Sequence, residues 1–211
     1  MNVLIWIFVA LFSYFVAAIN PAILLSKMIY HQDIRNCGSG NAGFTNFKRT
    51  FGNKYAWFVF ALDILKTILI GVVSSVLFGQ ILGMRQIGVA YACALGMFGH
   101  AFPVFYEFKG GKGFLVCMTM LWFLDWRAGL LSTVLFVILL LTTKYMSFST
   151  ILSLLIGSVS LFFLSAEYIS AIIYLLCTVF MLYRHKENLK RLSNGTESKF
   201  SLGSKSHTQQ E

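Results

Sequence analysis

Long apolar runs without a charged side chain alternate with short polar segments along most of this chain. The uncharged runs cover residues 1–26, 67–84, 86–106, 113–124, 128–143, 145–166 and 168–183. A helix needs roughly 20 apolar residues to cross the hydrocarbon core of a bilayer, and most of these runs approach that length. The pattern predicts an all-α, polytopic integral membrane helix bundle with about seven transmembrane segments.

The run 113–124 is the shortest, so the number of spans has an alternative. This run either extends into the glycines before it or pairs with the next run as a re-entrant hairpin, which leaves five true spans. We also expect the first span to be kinked near Pro21. The composition agrees with a bilayer protein, since 57% of the residues are hydrophobic and only 12% are charged.

The positive charges lie mainly on one side of the predicted spans. Of the 17 Lys and Arg residues, all but Lys66, Arg85 and Arg127 lie in the segments 27–54, 106–113 and 144 or in the tail from residue 184. The positive-inside rule makes this side cytoplasmic, with the N-terminus outside and the C-terminus cytoplasmic. The net charge of +9 suits anionic membrane lipids. It does not indicate nucleic acid, because the cations occupy separate loops and not one groove.

The chain is predicted to form one membrane-embedded domain over residues 1–197, followed by a polar, disordered tail over residues 198–211. Its four cysteines lack metal-ligand spacing, and the cytoplasmic carboxylates are few and scattered. We therefore expect no metal and no cofactor. The sequence defines no oligomeric state.

A glycine-spaced polar segment lies between two apolar runs. Gly38, Gly40 and Gly43 spell the dinucleotide-binding fingerprint, but membrane spans flank them where that fingerprint requires a soluble βαβ unit. Glycines still allow backbone N–H groups to converge on an anion. Neutral donors and cations lie beside them, at Ser39, Asn41, Thr45, Asn46, Lys48 and Arg49. This segment predicts phosphate binding, and a flexible interfacial turn is the alternative.

A second polar segment reads Lys109-Gly110-Gly111-Lys112-Gly113. It is not a Walker loop, because no Ser or Thr follows Lys112 and no glycine lies five residues before Gly111. It is interpreted as a second phosphate nest, and the alternative is a positive-inside stop signal with glycines for a tight turn.

The third polar segment places His185 and Asn188 three residues apart on one helical face, flanked by Arg184 and Arg191. They can bind one ligand together, although a basic helix on anionic lipid explains the cations equally well. Asp63 and Lys66 are also three residues apart, inside the second span. There we expect structural ion pairing more than catalysis.

Together these segments resemble a known family. The three motifs, from Gly38 to Arg49, from Gly99 to Gly113 and from His185 to Lys199, are similar in order and spacing to those of the bacterial membrane glycerol-3-phosphate acyltransferases that use acyl phosphate. The resemblance extends to Asp63–Lys66 and to Tyr145–Ser147. The chain departs from the family at residues 17–21, which replace Gly-Ser-Ile-Pro, and at residues 114–116, which replace Val-Ala-Thr. These departures concern packing and acyl-chain preference.

The resemblance implies transfer of a fatty acyl group from acyl phosphate to the sn-1 hydroxyl of glycerol 3-phosphate, the first acylation in phospholipid biosynthesis. We expect Arg49, Lys112 and His185 to bind glycerol 3-phosphate and the turn from Gly38 to Gly43 to bind acyl phosphate. Lys109 and Asn188 serve either substrate. The candidate catalytic residues are Ser39, His185 and Asn188, and the candidate binding residues are Gly38, Gly40, Asn41, Gly43, Thr45, Asn46, Arg49, Lys109, Gly110, Gly111, Lys112, Ser147 and Glu197.

Several chemical alternatives stay open at this point. Either His185 or a donor phosphate oxygen accepts the proton of the attacking hydroxyl, and an acyl-enzyme on Ser39 is less favoured because no Ser-His-Asp arrangement is visible. An acyl-CoA-dependent acyltransferase is a competing function, but no His-x4-Asp box occurs. A phosphate-binding transporter or a scaffold without activity is the remaining alternative.

Overall fold

The computed structural model describes residues 2–201 and 203, and within this part of the chain all regular structure is helical. Short 3-10 turns lie at Ile34–Asn36 and Val104–Tyr106, and a π-helical turn at Leu77–Ile81 continues the fourth helix. The all-α prediction is confirmed. The α-helices in this part of the chain are α1 (Asn2–Ala18), α2 (Pro21–Tyr30), α3 (Phe44–Phe51), α4 (Asn53–Val76), α5 (Arg85–Ala101), α6 (Phe114–Leu124), α7 (Trp126–Thr143), α8 (Met146–Leu164), α9 (Tyr168–Arg184) and α10 (Lys186–Ser193).

Five helical stretches in the described residues are long and apolar enough to cross a membrane. They are Asn2–Tyr30, Asn53–Ile81, Arg85–Tyr106, Trp126–Thr143 and Met146–Leu164. Helices α9 and α10 add a sixth if they count as one span with a bend of 57°. Helix α6 has 11 residues and a length of about 16 Å, too short to cross alone. The count of seven predicted from the sequence therefore depends on how α6 and the bent pair are treated.

Apolar side chains on the outside of the bundle agree with a lipid environment. On α7, for example, Val134, Ile138 and Leu141 are exposed, whereas Ser132 on the same helix is buried and donates to the Ser153 carbonyl. Helix α5 lies at the centre and packs against α1, α4, α6 and α9. The core is thus built around α5, and the outward faces match hydrocarbon.

The first span is broken where the sequence predicts a kink. Helix α1 ends at Ala18 and α2 begins at Pro21, and the Asn20 side chain caps α2 by accepting a hydrogen bond from the Ile23 N–H at 3.0 Å. The Asn20 amide also donates to the Ala42 carbonyl at 3.1 Å. The break therefore connects the first span to the glycine-rich segment.

Buried charges stabilise the carbonyls left free by this break. Lys66 Nζ donates to the carbonyls of Ala17 at 3.0 Å and Ile19 at 2.7 Å. The same atom lies 2.8 Å from Asp63 Oδ1 and 3.3 Å from His100 Nδ1. The ion pair expected from the sequence is present, and it joins α1, α4 and α5.

The structure differs from the predicted disordered tail at residues 198–201. Arg49 Nη2 donates to the Ser198 carbonyl at 3.0 Å, and the Phe200 N–H donates to the Lys144 carbonyl at 2.6 Å. These contacts hold the segment against α3 and the turn between α7 and α8. The remainder of that predicted tail, residues 202 and 204–211, lies outside the described residues.

Close packing of α1 on α5 requires Gly99. A Cβ at this position would lie 2.2 Å from the Tyr14 carbonyl oxygen, and that backbone atom cannot move without shifting α1. We expect Gly99→Ala to lower the free energy of unfolding by about 1–3 kcal/mol, measured as a lower Tm of the purified protein in detergent. Gly96→Ala is the control, because its Cβ would lie 3.6 Å from the nearest atom. Equal Tm values for the two variants would contradict this packing.

Candidate active site

One cavity brings the three polar segments together. One side is formed by α3 and α4, the other by α6, α7 and α8, and the segment from His185 to Phe200 completes it. The apolar part is lined by Phe44, Trp57, Phe60, Phe114, Leu115, Phe136, Leu140, Met146 and Phe200. The polar part is lined by Ser39, Asn41, Gly43, Thr45, Asn46, Arg49, Asp63, His100, Lys112, Ser147, Thr150, His185, Asn188 and Glu197.

The glycine-rich turn is organised by the buried side chain of Asn46. Its amide donates to the carbonyls of Ile34 at 3.2 Å and Cys37 at 2.9 Å, and its oxygen accepts from the Ser39 N–H at 2.9 Å. Gly38 adopts a φ of +56°, and a Cβ there would lie 2.4 Å from Asn46 Oδ1. The Asn46 side chain therefore stabilises the turn, and residue 38 must be a glycine because its backbone lies against that side chain.

The backbone donors of this turn differ from those expected. The N–H groups of Ser39, Gly40 and Gly43 are bonded to Asn46 Oδ1, the Cys37 carbonyl and the Asn41 carbonyl. Helix α3 begins at Phe44, so its first-turn N–H groups have no partner within that helix. Residues 43–46 line the cavity, and a helix N-terminus favours an anion. The start of α3, with Asn41, Thr45 and Arg49, therefore has the donors and the charge that an anion requires.

The second glycine segment does not form the expected backbone nest. The N–H groups of Gly110 and Gly111 donate to the carbonyls of Ala101 at 3.1 Å and His100 at 3.0 Å. A Cβ at Gly111 would lie 2.2 Å from His100 Nε2, so the glycine is required for close packing. Lys109 is exposed and does not line the cavity. From this segment Lys112 supplies the cation of the site.

A chain of hydrogen bonds connects Lys112 to the third segment. Lys112 Nζ donates to Asn188 Oδ1, and Asn188 Nδ2 donates to Glu197 Oε1 at 2.8 Å. The Ser147 hydroxyl donates to the same oxygen at 2.9 Å, and Arg191 Nε donates to Glu197 Oε2 at 2.7 Å. Glu197 therefore joins α8, α10 and the second segment. Glu197 and Arg191 thus form an ion pair.

The pKa values of the site follow from burial and charge. Burial, and then the positive charge of Arg191, lowers the pKa of Lys112 to about 8. Burial raises the pKa of Glu197, but hydrogen bonds from Asn188, Arg191 and Ser147 outweigh that effect and leave it below its usual value. The site at neutral pH contains a charged but readily deprotonated lysine next to an ionised carboxylate.

His185 is held as a neutral imidazole. Its Nδ1 lies 2.9 Å from the Met181 carbonyl, which can only accept, so Nδ1 carries the proton and Nε2 has a free lone pair. Burial, and then the charge of Lys112, lowers its pKa to about 4. His185 can therefore accept a hydrogen bond from a ligand at neutral pH.

Sequence reasoning missed some cavity residues. His100 belongs to the second motif, and Asp63 was interpreted as an ion-pair partner, yet both line the cavity. Phe200 was assigned to the tail. For His100, the one sequence signal for a position at the cavity is that it lies inside the second motif. No sequence pattern locates a side chain that reaches the cavity from another helix.

The helical fold and this cavity define a polytopic membrane protein in which cationic and neutral polar side chains lie beside an apolar pocket. A family profile described as glycerol-3-phosphate acyltransferase matches residues 7–195. The chain belongs to this family.

Individual relatives match over nearly their whole length. The glycerol-3-phosphate acyltransferase of Finegoldia magna is 34% identical over 200 residues, which cover 94% of this chain and 98% of that protein. The enzyme of the same name from Thermoanaerobacter pseudethanolicus is 37% identical over 200 residues, which cover 93% and 95%.

Two solved structures share the fold. The crystal structure of PlsY, an integral membrane glycerol 3-phosphate acyltransferase, in its glycerol 3-phosphate form has a TM-score of 0.85 and 28% identity, and the match covers 93% of this chain and 96% of that one. Its lysophosphatidic acid form has a TM-score of 0.81 and 26% identity, with 93% and 95% covered.

The low pKa of Lys112 predicts a pH-dependent anion affinity. The ammonium is charged below pH 8 and loses its charge as the pH rises through about 8, so sulfate binding should weaken about tenfold between pH 7 and pH 9. Isothermal titration calorimetry of the detergent-solubilised protein measures this, and sulfate does not itself titrate in that range. Lys112→Arg is the control and should show no such loss, because a guanidinium stays charged. An equally flat profile for the unaltered protein would contradict the pKa argument.

Proposed function

We propose that this protein transfers a fatty acyl group from acyl phosphate to the sn-1 hydroxyl of glycerol 3-phosphate, giving lysophosphatidate and inorganic phosphate. The supporting observation is the cavity itself, which joins cations and neutral donors to an apolar pocket. Acyl phosphate carries a phosphate and an acyl chain, and glycerol 3-phosphate carries a second phosphate. The names of the relatives and the two ligand forms of PlsY support the same substrates.

The phosphates of the two substrates are bound by two different groups of residues. Arg49, Lys112 and His185 bind glycerol 3-phosphate, while Ser39, Asn41 and the start of α3 bind the donor phosphate. Clustered positive charge offsets the repulsion of two anions that must lie close together. Asn188 lies between Lys112 and Glu197 and serves either substrate.

Other candidate residues act indirectly. Glu197 orients Asn188 by accepting a hydrogen bond from its Nδ2, and Ser147 holds Glu197 by donating to the same carboxylate oxygen. Gly40 shapes the first turn at a φ of +71°, and Gly110 and Gly111 allow close packing on His100. Lys109 is exposed and lies outside the cavity lining.

The reaction is a direct displacement. The sn-1 oxygen attacks the acyl carbon, the bond from that carbon to the bridging phosphate oxygen breaks, and inorganic phosphate leaves with the electron pair. Because acyl phosphate is a mixed anhydride with a good leaving group, the protein mainly positions the hydroxyl and stabilises the developing oxyanion. Neutral donors such as Ser39 and Asn41 fit the second task.

The donor phosphate accepts the proton in this proposal. A histidine with a pKa of about 4 is a weak base at neutral pH, but its free Nε2 can accept a hydrogen bond from the attacking hydroxyl and orient it. Within residues 2–201 and 203, no basic side chain is hydrogen-bonded to the Ser39 hydroxyl. This supports direct transfer over an acyl-enzyme on Ser39.

The membrane setting supports this chemistry. By the positive-inside rule, the 14 Lys and Arg residues other than Lys66, Arg85 and Arg127 support a site at the cytoplasmic face, with the N-terminus outside. One domain over residues 1–197 forms the site, and membrane lipids surround it. The acyl chain then enters the apolar pocket from the same bilayer that receives the product.

An assay of donors tests the proposed function. The purified protein in lipid should convert palmitoyl phosphate and glycerol 3-phosphate to lysophosphatidate and release one phosphate per acyl group. Palmitoyl-CoA offered at the same concentration should give no product, because no His-x4-Asp box is present. Product from the CoA donor alone would favour the acyl-CoA-dependent alternative. No product from either donor, with glycerol 3-phosphate still bound, would favour a transporter or scaffold.

The variant His185→Ala in this assay separates the two proton acceptors. With both substrates saturating, we expect kcat to stay near that of the unaltered protein while KM for glycerol 3-phosphate rises, because the histidine binds and orients. If His185 were the general base, kcat would fall by about 10²–10⁴.

A further inference from the structure

The segment Ser198–Ser201, here called the strap, lies beside the cavity. Two cations of α3 hold its two ends, since Arg49 Nη2 donates to the Ser198 carbonyl at 3.0 Å and Lys48 Nζ donates to the Ser201 carbonyl. On the far side the Phe200 N–H donates to the Lys144 carbonyl at 2.6 Å. The strap therefore bridges α3 and the turn between α7 and α8.

Phe200 is the part of the strap that reaches the cavity. Its ring lies 6.2 Å from the Phe44 ring, and Lys48 Nζ lies 4.4 Å from its centre. Phe44 in turn packs against Trp57 at 5.1 Å and Phe60 at 5.3 Å. Phe200 completes this aromatic wall of the apolar pocket, although it belongs to none of the helices that form the rest of that wall.

The walls on either side of the strap belong to helices that are separated in the fold. Helix α4 supplies Trp57 and Phe60, whereas α7 and α8 supply Leu140 and Met146. The short helix α6 lies between them and packs against both α4 and α7. Between these walls the strap closes the pocket on the side of the turn between α7 and α8. An apolar ring at this point meets whatever apolar chain occupies the pocket.

We propose that Phe200 is a specificity-determining residue, which contacts the acyl chain of the donor near its carbonyl end and excludes water from the acyl carbon. This inference rests on the proposed function. The aromatic ring supplies apolar contact area to the chain, and the strap's hydrogen bonds to Lys144 and Arg49 hold that ring in place. The Phe200 ring has no hydrogen-bond donor for a phosphate, and of the two substrates only the acyl phosphate carries an acyl chain, so the residue distinguishes donors and not acceptors.

Loss of the ring has a second, separate consequence. Water that reaches the acyl carbon attacks it in place of the sn-1 hydroxyl, the bond to the bridging phosphate oxygen breaks, and the products are free fatty acid and inorganic phosphate. The ratio of free fatty acid to lysophosphatidate therefore reports on the closure of the pocket. A residue with a purely structural role would change total activity and leave this ratio unaltered.

The test compares Phe200→Ala with a matched control in the full chain. We expect Phe200→Ala to raise KM for palmitoyl phosphate about tenfold and to raise the ratio of free fatty acid to lysophosphatidate by a similar factor, with KM for glycerol 3-phosphate unchanged. Phe200→Leu should restore most of both values. Phe163→Ala removes a ring that is 85% exposed at the other end of α8, and it should change neither value. If Phe200→Ala matches Phe163→Ala in both values, the proposal is overturned.

A binding measurement separates this proposal from the proposed function. If the unaltered protein forms no lysophosphatidate, the proposed function fails, but the strap is still tested by trypsin cleavage after the exposed Lys199. Dodecyl phosphate should slow this cleavage, and inorganic phosphate should not, because only a ligand with a chain packs against Phe200. The same protection in Phe200→Ala, or no difference between the two ligands, would overturn the strap proposal.

Discussion

The site depends on one buried carboxylate. Glu197 accepts hydrogen bonds from Ser147 on α8 and from Asn188 and Arg191 on α10, and Asn188 continues the chain to Lys112. Without this negative charge, Lys112 and Arg191 would repel one another in a partly desolvated site. With it, they converge and still retain donors for ligands. A substrate with two negative charges then meets a site whose cations are already held in place.

The membrane imposes the second constraint, since every backbone polar group inside the bundle needs a partner. The break between α1 and α2 leaves carbonyls free in the first span, and Lys66 satisfies them while Asp63 balances its charge. Asn20 at the same break holds the Ala42 carbonyl. The glycine-rich turn is thus anchored to the bundle through groups that also solve the desolvation problem, and the start of α3 is placed at the cavity.

The sequence predicts a membrane-embedded helix bundle and three polar segments that meet on one side of it, because hydropathy and motif order are local properties of the chain. It did not predict how individual groups are used. Asn46 is predicted to face ligand, and in the structure it lines the cavity but uses its amide to hold the turn, because that amide reaches carbonyls at residues 34 and 37 only after the turn has folded. Gly110 and Gly111 were expected to bind phosphate and instead pack on His100, a contact between segments that no spacing rule describes. Phe200 was read as part of a tail because its neighbours are polar.

In the proposed mechanism both substrates occupy this cavity together and react directly. Initial rates measured while palmitoyl phosphate and glycerol 3-phosphate are both varied distinguish this mechanism from transfer through an acyl-enzyme. We expect intersecting double-reciprocal lines, as required for a complex that contains both substrates. Parallel lines, with a burst of phosphate from palmitoyl phosphate before glycerol 3-phosphate is added, would show an acyl-enzyme and exclude direct transfer.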